Sequence, residues 1–209
     1  MHTWLTLALV VLLGTGGIYR VTEGFRVVTS EDARRLAVAA RPPQLPEVGV
    51  AVGGAAAQPL SKALGADGRV AIAVFFFARC ATVCVAQGDE MQQLQERLRK
   101  DGLGDRVRLL GVSFDAGDDA AALRAYATHM RADPGLWQMA RIADASERQR
   151  LLDTAGIVVV PAPLGQFQHN AAFHIIGPDA RLLRVIDYND PDGALAFALQ
   201  AANENGRRP

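Results

Sequence analysis

The chain opens with an uncharged apolar run over residues 4–19 (WLTLALVVLLGTGGIY), closed by Arg20. As a helix this run measures about 24 Å, and adding residues 1–3 brings it near the ~30 Å of a hydrocarbon core. A charged stretch follows, in which TSEDARRL predicts a short helix capped at Thr29 or Ser30. Arg41-Pro42-Pro43-Gln44-Leu45-Pro46 then breaks regular structure, which sets a domain start near Pro46. Residues 48–52, Gly53-Gly54, Ser61-Lys62 and 65–68 predict short strands joined by turns. From Arg69 onward, strand and helix patterns alternate. Residues 70–77 form a strand too apolar to have a solvated face. Residues 85–100 follow as a helix, with Cys84, Gly88, Met91, Leu94 and Leu98 on one stripe. Residues 107–114 read as a second buried strand, and 118–131 as a helix with Leu123, Tyr126 and Met130 on one face. A strand over 136–142, a helix over 146–155 stopped by Gly156, and a brief strand over 157–160 ending at Pro161 come next. Residues 171–176 and 182–186 flank the turn Gly177-Pro178-Asp179-Ala180, and Leu195, Ala198, Leu199 and Ala202 form the face of a last helix.

This order, β-α-β-α closing with β-β-α, predicts an α/β thioredoxin-like fold. A central mixed sheet lies between helices, behind an N-terminal membrane anchor helix. Three segments result: 1–20 as transmembrane anchor or signal peptide, 21–45 as juxtamembrane linker, and 46–205 as the thioredoxin-like domain. The region before the apolar run lacks Lys and Arg, and no clear A-x-A cleavage site follows it, which favours an uncleaved anchor. Arg20, Arg26, Arg34 and Arg35 all follow the run, a distribution that by itself would retain the C-terminal domain in the cytoplasm.

Charge narrows the partners. Lys plus Arg is 22 and Asp plus Glu is 22, so no long-range field draws nucleic acid or an acidic partner. No basic stretch with interleaved aromatics occurs, and nucleic-acid binding is set aside.

The chemistry lies in the two cysteines, Cys80 and Cys84. They sit at a strand-to-helix junction, where the helix N-terminus favours thiolate, the form that binds metal or attacks a disulfide. Residues at i and i+4 share a helix face, close enough for one metal to bridge or, after a small adjustment, for a disulfide. Arg79 places a cation beside Cys80. Among the histidines, His2 lies in the anchor, His129 in a solvated helical stretch and His174 inside a strand. His169 follows PAPLGQFQ and precedes an apolar strand whose leading end can approach the cysteine helix. Two thiolates and one imidazole suit Cu(I) or Cu(II), and zinc with a water in the fourth place also satisfies them. A thiol–disulfide oxidoreductase, a peroxidase-like thiol and a structural staple use the same cysteines and stay open at this point.

The succession TSEDARRL, LPEV, VAIAVFFFARCATVC, LLGVSFDA and FQHNAAFHIIGPDARLL resembles the Sco/SenC family of copper chaperones. The resemblance implies one copper ion held by Cys80, Cys84 and His169, with Cys80 and Cys84 also the pair for any thiol–disulfide exchange. It implies a copper-receiving oxidase subunit (or other copper protein) and a thiol–disulfide reductant as partners. The expected role is assembly of the CuA centre of cytochrome c oxidase. The expected location is the inner membrane, single-pass, with the domain facing the periplasm. The chain departs from the family pattern at Ala81 and Val85, where proline is usual, and at Ala116 and Gln168.

Overall fold

The computed structural model describes residues 2–22, 29–80 and 83–207. Helix α1 (His2–Val21) is exposed along its length, and its Thr3–Val21 stretch is long and apolar enough to cross a membrane. Helix α2 (Ser30–Ala40) begins at a capping box, in which Thr29 Oγ1 accepts from the Asp32 amide and Asp32 accepts from the Thr29 amide.

The remaining elements are β1 (Gly49–Val52), β2 (Gln58–Pro59), α3 (Leu60–Gly65), β3 (Val70–Phe76), α4 (Val83–Lys100), β4 (Val107–Ser113) and α5 (Ala120–His129). They are followed by β5 (Trp137–Ile142), α6 (Ala145–Ala155), β6 (Val159–Ala162), β7 (Gln166–His169), β8 (Ala172–Ile176), β9 (Leu182–Asp187) and α7 (Pro191–Asn205). The seven-stranded sheet runs β2-β1-β5-β4-β3-β8-β9. β3, β4 and β5 are parallel, and the outer strands are antiparallel. All seven residues of β3, an unbroken apolar run, and of β4 are buried, and Arg108 of β4 is accommodated by donating to the Ala63 and Leu64 carbonyls.

Helices cover both faces. On one, Tyr126 of α5 stacks on Phe76, and α4 meets α7 through an Arg97–Asp192 ion pair. On the other, Val50 and Val52 of β1 gather with Leu64 of α3, Leu110 of β4 and Leu151 of α6 around a small void. α2 packs beside β9, with Val38 buried and Arg35 paired to Asp187 at 2.9 Å. The span read as a juxtamembrane linker therefore contains a helix seated on the sheet. Arg26 lies outside the described residues.

Three local readings need correction. Residues around Ser61-Lys62, expected to be strand and turn, form α3, because its buried Leu60, Ala63 and Leu64 follow helical spacing. Pro161 lies inside β6 rather than ending it, because both strands of a two-stranded ribbon are edge strands, the setting in which strand proline is tolerated. The PAPLGQFQ stretch is not a plain loop. After a single turn at Pro163–Gly165 it returns as β7, antiparallel to β6.

His174 is a core residue, fully buried and edge-on to Phe75, opposite Ala73 of β3. Neither ring nitrogen has a well-formed hydrogen bond, although the Ala155 and Ala172 backbones lie near enough to raise its proton affinity slightly. Burial, reinforced by Arg34 and opposed by Glu31, pushes its pKa down to about 3. The unfolded chain takes up this proton near the ordinary value of 6.5, whereas the folded chain resists it until about 3. His174 therefore favours the fold above pH 6.5, and that contribution drains away as pH falls toward 3. The slope is about 1.4 kcal/mol per pH unit. His174→Phe is expected to flatten the pH dependence of urea unfolding between about pH 6 and about pH 4. An unchanged slope would contradict the assignment.

Candidate metal and thiol site

The site begins where the central strand ends. Beyond β3, Phe77 is still fully buried, and the chain then turns so that the Cys80 amide donates to the Phe77 carbonyl at 3.2 Å. Cys80 is half-buried and packs against the core. Cys84 is the second residue of α4, which places it in the helix's first turn; its side chain lies outside the described residues, as do residues 81–82 and the side chain of Val85.

The segment after β4 holds this turn from below. Asp118, only 2% exposed, accepts from the Ala78 amide at 2.8 Å and from Ser113 Oγ at 2.6 Å. Ser113 Oγ in turn accepts from the Asp115 amide at 3.2 Å. Arg79, expected to lend its charge to Cys80, pairs instead with Asp115 at 3.0 Å, which offsets its positive charge locally.

The β6–β7 hairpin closes the site from the side. Phe167 and His169 lie two apart on β7, on the same face of the ribbon, and both reach the aromatic end of the sheet. The Phe167 ring stands edge-on to Phe77 at 5.1 Å and to Phe114 at 5.7 Å. The His169 ring lies 4.9 Å from Phe114 and 6.5 Å from Phe77, measured between centroids. Gln166 Nε2 donates to the carbonyl of Arg79, the residue before Cys80, at 3.4 Å. Asn170 pins the other end of the hairpin, donating to the Gly156 carbonyl at 2.9 Å and accepting from the Val158 amide at 2.8 Å. The sheet register agrees: β8 runs antiparallel to β3 with Ala73 opposite His174, so the chain before β8 arrives at the Phe77 end.

Burial lowers the pKa of His169 below the ordinary histidine value, with a smaller opposing effect from its contact to the Asn170 carbonyl. The ring is therefore neutral at neutral pH. Nδ1 lies 3.2 Å from that carbonyl, so a proton on Nδ1 makes Nε2 the electron-pair donor.

The structure thus brings two of the sequence-derived residues, Cys80 and His169, to the same strand end, and sets Cys84 on the adjoining helix. Among the described residues no group of three or more His, Cys, Asp or Glu side chains is arranged to hold a metal. His129 is exposed at the end of α5, His174 is in the core, and the side chain of His2 lies outside the described residues. Sequence reasoning passed over Asp118, the Phe77–Phe114–Phe167 cluster, Gln166 and Asn170. Asp118 stands in a run of three acids (SFDAGDD), and spacing alone does not say which one turns inward.

A mixed sheet sandwiched by helices, with a thiol at the end of a central strand, defines a thioredoxin-like domain. The SCO1/SenC family model matches residues 61–204, and the chain belongs to that family. The curated SCO1 protein homolog of Bacillus subtilis (strain 168) is 28% identical over 125 residues, 58% of this chain and 63% of that relative; the match thus spans less than two thirds of its length. Among solved structures, Arabidopsis thaliana ScoI with copper bound has a TM-score of 0.65 at 13% identity, over 78% of this chain and 99% of its own. BsSco, described as having a disulfide switch and as a member of the Sco family of cytochrome c oxidase assembly proteins, has a TM-score of 0.65 at 22% identity, over 78% of this chain and 95% of its own. At these identities the likeness establishes a shared fold.

Removing the Asp118 carboxylate leaves the Ala78 N–H and the Ser113 hydroxyl without their acceptor. Asp118→Ala is expected to cost about 2–4 kcal/mol in urea unfolding and to speed hydrogen exchange at the Ala78 amide. A cost below about 0.5 kcal/mol with unchanged exchange would contradict this role.

Proposed function

We propose that this protein is a membrane-anchored copper-binding and thiol-redox factor for assembly of a respiratory oxidase copper centre. Reduced Cys80 and Cys84, together with the imidazole of His169, hold one copper ion as cargo. The observation that carries this reading is the docking of the His169 hairpin onto the Cys80 turn, through Gln166 and the shared contact with Phe77. Family membership and the shared fold with copper-bound ScoI support it.

The donor set fits the ion. Soft thiolates favour Cu(I), and a neutral imidazole nitrogen makes the set acceptable to Cu(II). The lowered pKa of His169 keeps that nitrogen unprotonated at neutral pH. Oxidation of the two thiols to a disulfide releases two electrons and two protons to a thiol–disulfide partner and removes both sulfur donors, so redox poise gates the cargo. Residues 1–20 act as a single-span anchor in the inner membrane, 21–45 carry α2 to the sheet, and the copper-binding domain of 46–205 faces the periplasm. The recipient is an oxidase subunit or another copper protein.

Copper titration of the reduced full-length chain is expected to saturate at one ion. Replacing both cysteines by serine should abolish uptake, and His169→Ala should weaken Cu(II) binding more than Cu(I), by about tenfold or more. Undiminished uptake by the double serine variant would overturn the proposal. Rapid reduction of a client disulfide by wild type and His169→Ala alike, with no copper affinity in either, would assign the cysteines to an oxidoreductase instead.

A further inference from the structure

On the sheet face opposite His174, and away from the cysteines, a recess of about 380 Å³ lies beside α5. Its origin is the alternation of β1. Val50 is buried and Val52 partly buried on the α3–α6 side, whereas Ala51 and Gly53 point the other way and carry almost no side chain. On neighbouring β5 the same face presents Trp137, Met139 and Arg141. α5 covers Trp137 and Met139 but stops short of β1, where Ala120 and Ala127 add little bulk. The size falls within the range of small-molecule sites.

The floor is apolar, formed by Leu123, Trp137 and Met139, all buried. Two cations close it: Arg141, half-buried at the end of β5, and Arg124 on the rim. Neither guanidinium makes a hydrogen bond or ion pair among the described residues. A carboxylate within their electrostatic reach, Asp119, already serves as the N-cap of α5 and accepts from the Ala122 amide at 2.8 Å. An apolar pocket closed by two unpaired guanidiniums complements an anion with an apolar body, since Arg presents a planar fork to a carboxylate.

We propose that this recess binds a small organic carboxylate with an aromatic or aliphatic body, its acid group on Arg141 and Arg124 and its body over Trp137 and Met139. The lining includes neither cysteine nor His169, so occupancy is expected to be independent of copper.

Trp4 and Trp137 are the only tryptophans, so a Trp4→Phe background makes Trp137 the sole indole reporter. Full-length protein in this background is titrated with 3-phenylpropionate, its neutral amide and inorganic phosphate, followed by Trp137 fluorescence and calorimetry. Saturable binding of the acid is expected, at least about tenfold tighter than that of the amide or phosphate. Arg141→Gln should weaken the acid about tenfold, and Ala51→Leu should block it by filling the recess, while both variants take up copper as the parent does. Equal binding of acid and amide, or no saturable binding of the acid by a parent that folds and binds copper, would overturn the proposal. Retained acid affinity in Ala51→Leu would do the same.

Discussion

The contact on which the site depends is the edge-on packing of Phe167 and His169 against Phe77 and Phe114. Phe77 and Phe114 are the residues that follow the two central parallel strands, so they mark the carboxyl end of the sheet, where open α/β folds carry their chemistry. Burying the β7 side chains on this ledge seats a short hairpin on the sheet, with the Gln166 bond to the Arg79 carbonyl as a further tie. Aromatic pairs of this geometry each contribute about 0.5–1.5 kcal/mol beyond area burial, enough together to hold a two-stranded ribbon that would be marginal in water. With that ribbon in place, an imidazole from late in the sequence stands beside a turn from its middle.

A second set of bonds works on the other partner. Asp118 holds the Ala78 amide, and Arg79 is engaged by Asp115 through its side chain and by Gln166 through its carbonyl. The turn that presents Cys80 is therefore tied both to the loop after β4 and to the hairpin. A shift of either support moves the thiol relative to the imidazole. Cys80 and His169 are thus held on separate elements, each braced by its own contacts. Cys84 stands on a third element, in the first turn of α4.

Much of this was legible in the chain. The unbroken apolar run marked β3, and the mostly apolar 107–114 marked β4, since buried central strands favour such composition. The shared helix face expected of Cys80 and Cys84 does not hold: Cys80 lies in the turn before α4, which starts at Val83. The place of Cys80 after β3 and of His169 ahead of β8 was legible. The antiparallel return of β8 along β3 is what makes that pairing geometric. The strand read over 157–160 overlaps β6, but β7 and the pairing of the two were not legible, because β7 is short and alternates only weakly, so periodicity could not separate it from a loop. Asp118 and Asn170 were hidden for a different reason: their roles are hydrogen bonds to backbone groups distant in sequence, which no local pattern encodes. The cation at Arg79 was visible, but its pairing with Asp115 depends on where the β4 loop turns.

The proposed copper site requires one imidazole and two sulfurs at a single ion. The most direct measurement is electron spin-echo modulation of the Cu(II)-loaded full-length protein, with X-ray absorption of the Cu(I) form. The expected result is modulation from one histidine nitrogen, lost in His169→Ala, and two sulfur scatterers, lost in the double serine variant. Persistent imidazole modulation without His169, or copper surrounded only by nitrogen and oxygen in the parent protein, would contradict it.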